Sequence, residues 1–227
     1  MTAIIEFTPL IMPFVRDCSV AAATVAARFA AIEFYKQTLW QQEALEPILL
    51  QAGRSIYEIE TPPDTVPATV MRADVDGYGA PLTFKTKDEL DQLYGSNWTS
   101  MDRTGRPTFV TQIEPDQIIL VPAPDQAFLD ASLNATPPLV PMMRLLVATQ
   151  PTPDAVEIDD SVFNYYSEPI AYGARARLVE TAGQPYYDPQ SAPMLWGRFY
   201  GGVSEAKARR MRDHTRAVQS VQMRRWV

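Results

Sequence analysis

The placement of proline and glycine divides this chain before any other pattern is read. From Val20 to Glu46 there is neither, and alanine-rich helix formers fill the run. From about 50 to 152 both residue types cut the sequence into short pieces. Proline removes a backbone donor and fixes φ, while glycine frees φ, so long regular elements do not cross such a stretch. The first zone predicts one long helix, with Asp17 or Ser19 as N-cap and Pro47 as its stop. Val25, Phe29, Ile32 and Leu39 recur at helical spacing and predict its packing stripe.

The middle zone reads as short strands. Ser55–Glu60, Val70–Val75, Thr108–Ile113, Gln117–Val121 and Met143–Thr149 are the candidates. Asp76-Gly77 followed by Tyr78-Gly79 is hairpin chemistry, because such turns need positive φ. Pro115, between Glu114 and Asp116, presets φ for another turn. Lys87–Tyr94 predicts a short amphipathic helix, and residues 125–141, with three prolines, predict a long loop. The strands do not alternate with long helices, which disfavours a βαβ nucleotide-binding fold.

The third zone is helical. Asp159 or Ser161 can cap a helix reaching about Thr181, in which Gly173 and Ala174 allow close helix approach. Gly183 suits a left-handed C-terminal position and Pro185 prevents continuation. Asp188-Pro189 then opens a second helix, whose Leu195, Phe199, Gly202 and Ala206 form a narrow seam. The expected fold class is α+β: an antiparallel-type helical bundle from N- and C-terminal helices (about 17–46 and 160–207), with a β-rich insertion at about 50–152. Residues 1–16 would be an N-terminal arm, 17–207 the main domain and 208–227 a basic tail.

The apolar start Met1–Val15 has no Lys or Arg, is broken by Glu6, Pro9 and Pro13, and is too short to span a bilayer. It reads as an extended arm reaching a neighbour, or as a strand of the chain's own sheet. No later run reaches eighteen apolar residues, so the expectation is a soluble protein with no membrane partner.

Few chemistries remain. At 227 residues the chain can bury a core without disulfides, and its one cysteine, Cys18, excludes a disulfide framework and a two-thiolate zinc site. One histidine, His214, excludes two-histidine mechanisms. No Gly-rich phosphate loop and no Gly-x-Ser-x-Gly elbow is present. Asp74 and Asp76 share one side of a strand and could share a cation, or serve a hydrolase; alternatively, Asp76 is simply solvated at its turn. Cys18 reads as a buried or idle thiol, and His214 as an exposed histidine among arginines. We therefore assign no catalytic, cofactor or metal residue.

Charge is the sharper signal. The chain carries -7, yet residues 198–227 hold eight basic residues against Glu205 and Asp213, a local +6 that leaves -13 elsewhere. Arg209, Arg210, Arg212, Arg216, Arg224 and Arg225, with Trp226 as an aromatic anchor, suit docking on an acidic protein surface. A solvated terminus and a DNA-phosphate contact are the alternatives, and the acidic remainder disfavours DNA.

Four segments in order carry a resemblance: AAIEFYKQTLW (Ala30–Trp40), AGRSIYEIE (Ala52–Glu60), KDELDQLYGSNWTSMDRTGRPTFVTQIEPDQIILVPAPD (Lys87–Asp125), and YYSEPIAYGARARLVETAGQPYYDPQSAPMLWGRFYGGVSEAKAR (Tyr165–Arg209). From first to last they span most of the chain, Ala30 to Arg209, in the same order. The most specific parts are the Leu-Tyr-x(3)-Trp run before Gly105-x-Pro107, the Leu120–Pro124 strand end, and the Ala-Gly-Gln-Pro-Tyr junction between helices. This pattern resembles the head-to-tail adaptor proteins of tailed bacteriophages. The Pro-rich stretch 125–141 and the extended basic tail depart from it. The resemblance implies a non-enzymatic virion protein at the portal vertex, made in the host cytoplasm. Its partners would be the portal protein, a tail or nozzle protein, and its own copies in a ring, commonly dodecameric. DNA would pass through the channel without specific binding. Another tail component, such as a tail-tube, nozzle or fibre-attachment protein, is the alternative.

Overall fold

The computed structural model describes residues 1–77, 80–96, 98, 103–134 and 138–211. The chain forms two compact units, Met1–Trp40 with Pro153–Val227, and Gln41–Thr152. In chain order the first unit begins with β1 (Thr2–Ala3), α1 (Thr8–Ile11) between 3-10 turns at Ile4–Phe7 and Met12–Phe14, and α2 (Val20–Thr38). The second contains β2 (Gln42–Ala44), β3 (Ile48–Leu49), β4 (Ile56–Glu58), β5 (Thr65–Val75), β6 (Thr83–Phe84), α3 (Lys87–Tyr94), β7 (Thr104–Gly105), β8 (Phe109–Thr111), β9 (Gln117–Val121), β10 (Ala123–Pro124), α4 (Gln126–Leu133) and β11 (Met142–Pro151). The first unit then resumes with β12 (Glu157–Ile158), α5 (Asp160–Val179) and α6 (Ala192–Arg210).

This arrangement corrects the expected fold class. The molecule is mixed α/β, with six α-helices and several sheets among the described residues, and α+β describes it only loosely. It is not a helical bundle carrying a β-rich insertion. The strands close on hydrophobic clusters of their own and so make a compact unit.

In the first unit, the Ser19 side chain accepts from the Ala22 amide at 3.2 Å and starts α2. The helix ends at Leu39, which is left-handed at φ 50° and donates its amide to the Tyr35 carbonyl. It stops well before Glu46 because Gln42–Ala44 pair with β11 instead. The packing stripe also differs from the spacing-based expectation. Val25 and Phe29 are exposed, whereas Ala23, Ala26, Ala27, Ala30, Ala31, Phe34 and Tyr35 are buried. A face of alanines lets helices approach closely, and the two aromatics fill the space at one end. Phe34 and Trp40 pack on Tyr166 with ring centroids 5.1 and 4.9 Å away.

Residues 2–14 are not an extended arm. Thr2–Ala3 pair with β12, and Ile4, Phe7, Ile11 and Val15 are buried in the same cluster as the α2 alanines. Prolines at first-turn positions, where no amide partner is lost, let short helical pieces form there. The Asp159 carboxylate caps α5, accepting from the Ser161 amide at 2.6 Å. Pro169 sits inside α5, and Tyr166 leaves helical geometry at φ -133°, ψ 16°. Proline cannot donate to the carbonyl four residues back and its ring crowds that carbonyl, which kinks the helix. Leu195, Phe199, Gly202 and Ala206 are all buried along α6.

In the second unit, β11 is central. One edge pairs antiparallel with β5, and the other takes β3 and β2 along successive stretches. A second sheet runs β4-β9-β8-β6, parallel only between β6 and β8. Strand β9 is buried on both faces. Ile118 and Leu120 join a cluster with Val70, Met143 and Val147 of the first sheet, while Ile119 and Val121 pack with Leu90 and Trp98. A strand places alternate residues on opposite faces, so one five-residue segment serves two clusters. A reciprocal box between Thr86 and Glu89 caps α3. The stretch 125–141, expected as a loop, contains α4, because Asp125 caps it by accepting from the Phe128 amide at 2.7 Å. Gly77 has φ 85°, as a turn requires, while Tyr78 and Gly79 lie outside the described residues.

Candidate docking surface

The basic segment begins inside a helix. Lys207, Arg209 and Arg210 occupy the last turn of α6, where their charge faces the partial negative end of the helix. The Arg209 guanidinium lies over the Tyr165 ring at 4.3 Å from its centroid. Such a contact is worth about 0.5–1 kcal/mol at an exposed site. The tail therefore does not leave the domain at residue 208. Buried Ala206 and the stacked Arg209 hold the helix through Arg210. Arg210 is half-buried. Arg212, Arg216, Arg224, Arg225 and Trp226, together with His214, lie outside the described residues.

Asp74 and Asp76 do not face one common cation. Asp74 accepts from Arg72 Nε and Nη2 at 2.6 and 2.9 Å. Asp76 accepts from Arg144 Nε and Nη2 at 2.8 and 3.2 Å. Each carboxylate is held in a guanidinium fork, and each pairing raises its arginine above the ordinary value, first through the hydrogen bonds and then through charge. No group of three or more His, Cys, Asp or Glu residues that could hold a metal occurs among the described residues. Cys18 is buried, and burial pushes its thiol up, away from a reactive thiolate.

Two clefts have chemical character. In the second unit, Glu43, Glu46, Glu58 and Glu60 line a space of about 590 Å³ with Arg54 and Tyr57. In the first unit, a cleft of about 510 Å³ is bordered by Phe14, Tyr172, Arg175, Tyr187, Met194 and Arg198. Sequence reasoning missed this second cleft. One signal was available: Arg175 falls between Ala171, Ala174 and Leu178 on the buried stripe of α5. Helical periodicity therefore turns a charged residue inward.

Neither the protein-family models nor the curated proteins compared with this chain give a match. Among the described residues, no helix is long and apolar enough to cross a membrane.

Proposed function

We propose that this chain is a structural virion protein, a head-to-tail adaptor of a tailed bacteriophage. It binds the portal, takes its place in a ring (dodecameric in the family it resembles), extends the DNA channel and receives the tail or nozzle. The observation that carries this reading is the way α6 ends. A helix docked by Leu195, Phe199 and Ala206 presents Lys207, Arg209 and Arg210 as its final turn. The sequence then continues with Arg212, Arg216, Arg224, Arg225 and Trp226. A fixed helix end followed by arginines and an aromatic residue is anchor chemistry for an acidic protein surface.

Charge supports the same reading. With -13 outside residues 198–227, the body of the protein repels phosphate, which suits a channel wall that must release DNA. Lateral contacts in a ring are heterologous and close only at the right rotation, so a preformed portal would set the subunit number.

The test is co-sedimentation with portal rings of the same phage, using the full chain, a chain ending at Met211, and the double variant Arg209→Glu, Arg210→Glu. The chain ending at Met211 should keep the melting transition of the full chain, the double variant should melt slightly lower because it loses the Arg209–Tyr165 contact, and both should lose co-sedimentation. Undiminished co-sedimentation of the chain ending at Met211 would overturn the docking role of the tail.

A further inference from the structure

We propose that the first unit's cleft is a docking site for a partner peptide that presents a carboxylate next to an apolar side chain. This inference stands apart from the adaptor reading, because it uses none of the tail residues.

Arg175 is the centre of the site. Its side chain is buried at 7% exposure, yet it makes no ion pair among the described residues. Its charge is held by other means. Nε donates to the Leu10 carbonyl at 2.9 Å, and Nη2 donates to the same oxygen. The Phe14 ring lies 3.7 Å from the guanidinium carbon and the Tyr172 ring 5.0 Å. Two aromatic faces and a carbonyl fix the guanidinium plane and occupy its Nε–Nη2 edge, so a ligand carboxylate would meet the remaining Nη1 and Nη2 hydrogens with little entropy lost. A buried cation without a carboxylate is costly unless something compensates it.

Arg198 stands across Tyr172, 4.9 Å from its ring centroid, and donates Nη1 to the Tyr172 hydroxyl at 2.6 Å. That hydroxyl donates to Glu168 at 3.1 Å. The Glu168 carboxylate is thereby engaged through tyrosine, and it does not ion-pair with either arginine. The lining holds three guanidiniums, with Arg16 the third, against Glu168 and Asp188. It is thus net positive in a protein of charge -7. Phe14, Tyr187 and Met194, which are 67%, 48% and 56% exposed, form its apolar wall. Arginine, tyrosine and methionine around a cleft are the residues that carry binding energy at protein interfaces. A planar fork suits a single carboxylate, and a lining whose charges sum to only +1 does not neutralise the several charges of a polyphosphate chain.

The probe is a capped octapeptide of alternating aspartate and phenylalanine, labelled with a fluorophore and titrated into the full chain while anisotropy is followed. Controls are the same peptide with asparagine for aspartate, inorganic phosphate, and a single-stranded oligonucleotide as competitor. A dissociation constant between roughly 10 µM and 1 mM is expected, with at least a tenfold loss for the asparagine peptide. Arg198→Glu lies on an exposed side chain and should also cost at least tenfold while leaving the melting transition in place. Arg175→Lys keeps the charge but loses the planar fork and should weaken binding by a similar factor. If Arg175→Lys unfolds the protein, Arg198→Glu alone decides. Equal affinity for the asparagine peptide, no saturable binding, no effect of Arg198→Glu, or complete displacement by the oligonucleotide would each overturn the proposal.

Discussion

Gly202 of α6 lies directly against the ring of Pro169 of α5. A Cβ added at Gly202 would meet Pro169 Cγ at 2.5 Å, and its Cβ closer still. A proline ring cannot swing aside as a flexible side chain can. Gly202→Ala should therefore overpack the contact and cost about 1–3 kcal/mol in urea unfolding. The adjacent Gly201 faces open space, so Gly201→Ala should be neutral or stabilise the helix by up to about 1 kcal/mol. Two neighbouring glycines with opposite responses would confirm the register of α5 on α6.

Gly173 should behave like Gly202. A Cβ there would meet Phe199 Cδ2 at 2.7 Å and the Ala30 Cβ at 3.2 Å. Three helices converge at this point, and Ala30 belongs to the alanine face of α2. Gly173→Ala should lower stability by about 1–3 kcal/mol, and the double variant with Phe199→Leu should recover part of that loss. Thermal melts of the two variants check this.

That point also shows where sequence reading succeeds and where it fails. The seam Leu195, Phe199, Gly202 and Ala206 was legible because a local period of three and four decides it. Strand β9 was legible because its bounds, Gln117 and Val121, are set by the turn at Pro115 and by Pro122. The buried face of α2 was not, because Val25 and Phe29 are more hydrophobic than the alanines that are inside. Close helix approach favours small side chains, and no hydrophobicity pattern reports it. The end of α2 at Leu39 was hidden for a different reason. Gln42–Ala44 pair with Leu146–Ala148, about a hundred residues later. The cleft around Arg175 joins residues from both ends of the chain, so only the signal at Arg175 itself was local.

The arginine-bound aspartates predict indifference to metal. Asp74→Ala and Asp76→Ala should each leave the urea midpoint close to that of the unaltered chain, since the arginine of each pair is exposed and its carboxylate only half-buried. Calcium or magnesium should not shift the melting temperature of the unaltered chain. A saturable rise with either cation would show that the carboxylates leave their arginines for a shared ion.

Glu89 gives α3 a pH dependence of known sign. The Lys85 ammonium first, and then the Thr86 amide, hold the Glu89 carboxyl below its ordinary value of 4.5. A depressed carboxyl pKa contributes stability above the unfolded value and loses it as pH falls through the folded one. Stability should therefore drop on acidification below about pH 4.5, and Glu89→Gln should show a shallower drop over the same range. Urea unfolding at stepwise lower pH compares the two.

The proposed adaptor role requires this chain to take its place in a closed ring on the portal. Native mass spectrometry of the purified full chain, alone and after mixing with portal rings, tests it most directly. The account predicts a monomer alone and, on the portal, a closed set of copies whose number matches the portal's symmetry. A chain that leaves the portal's mass unchanged at saturating concentration would contradict it.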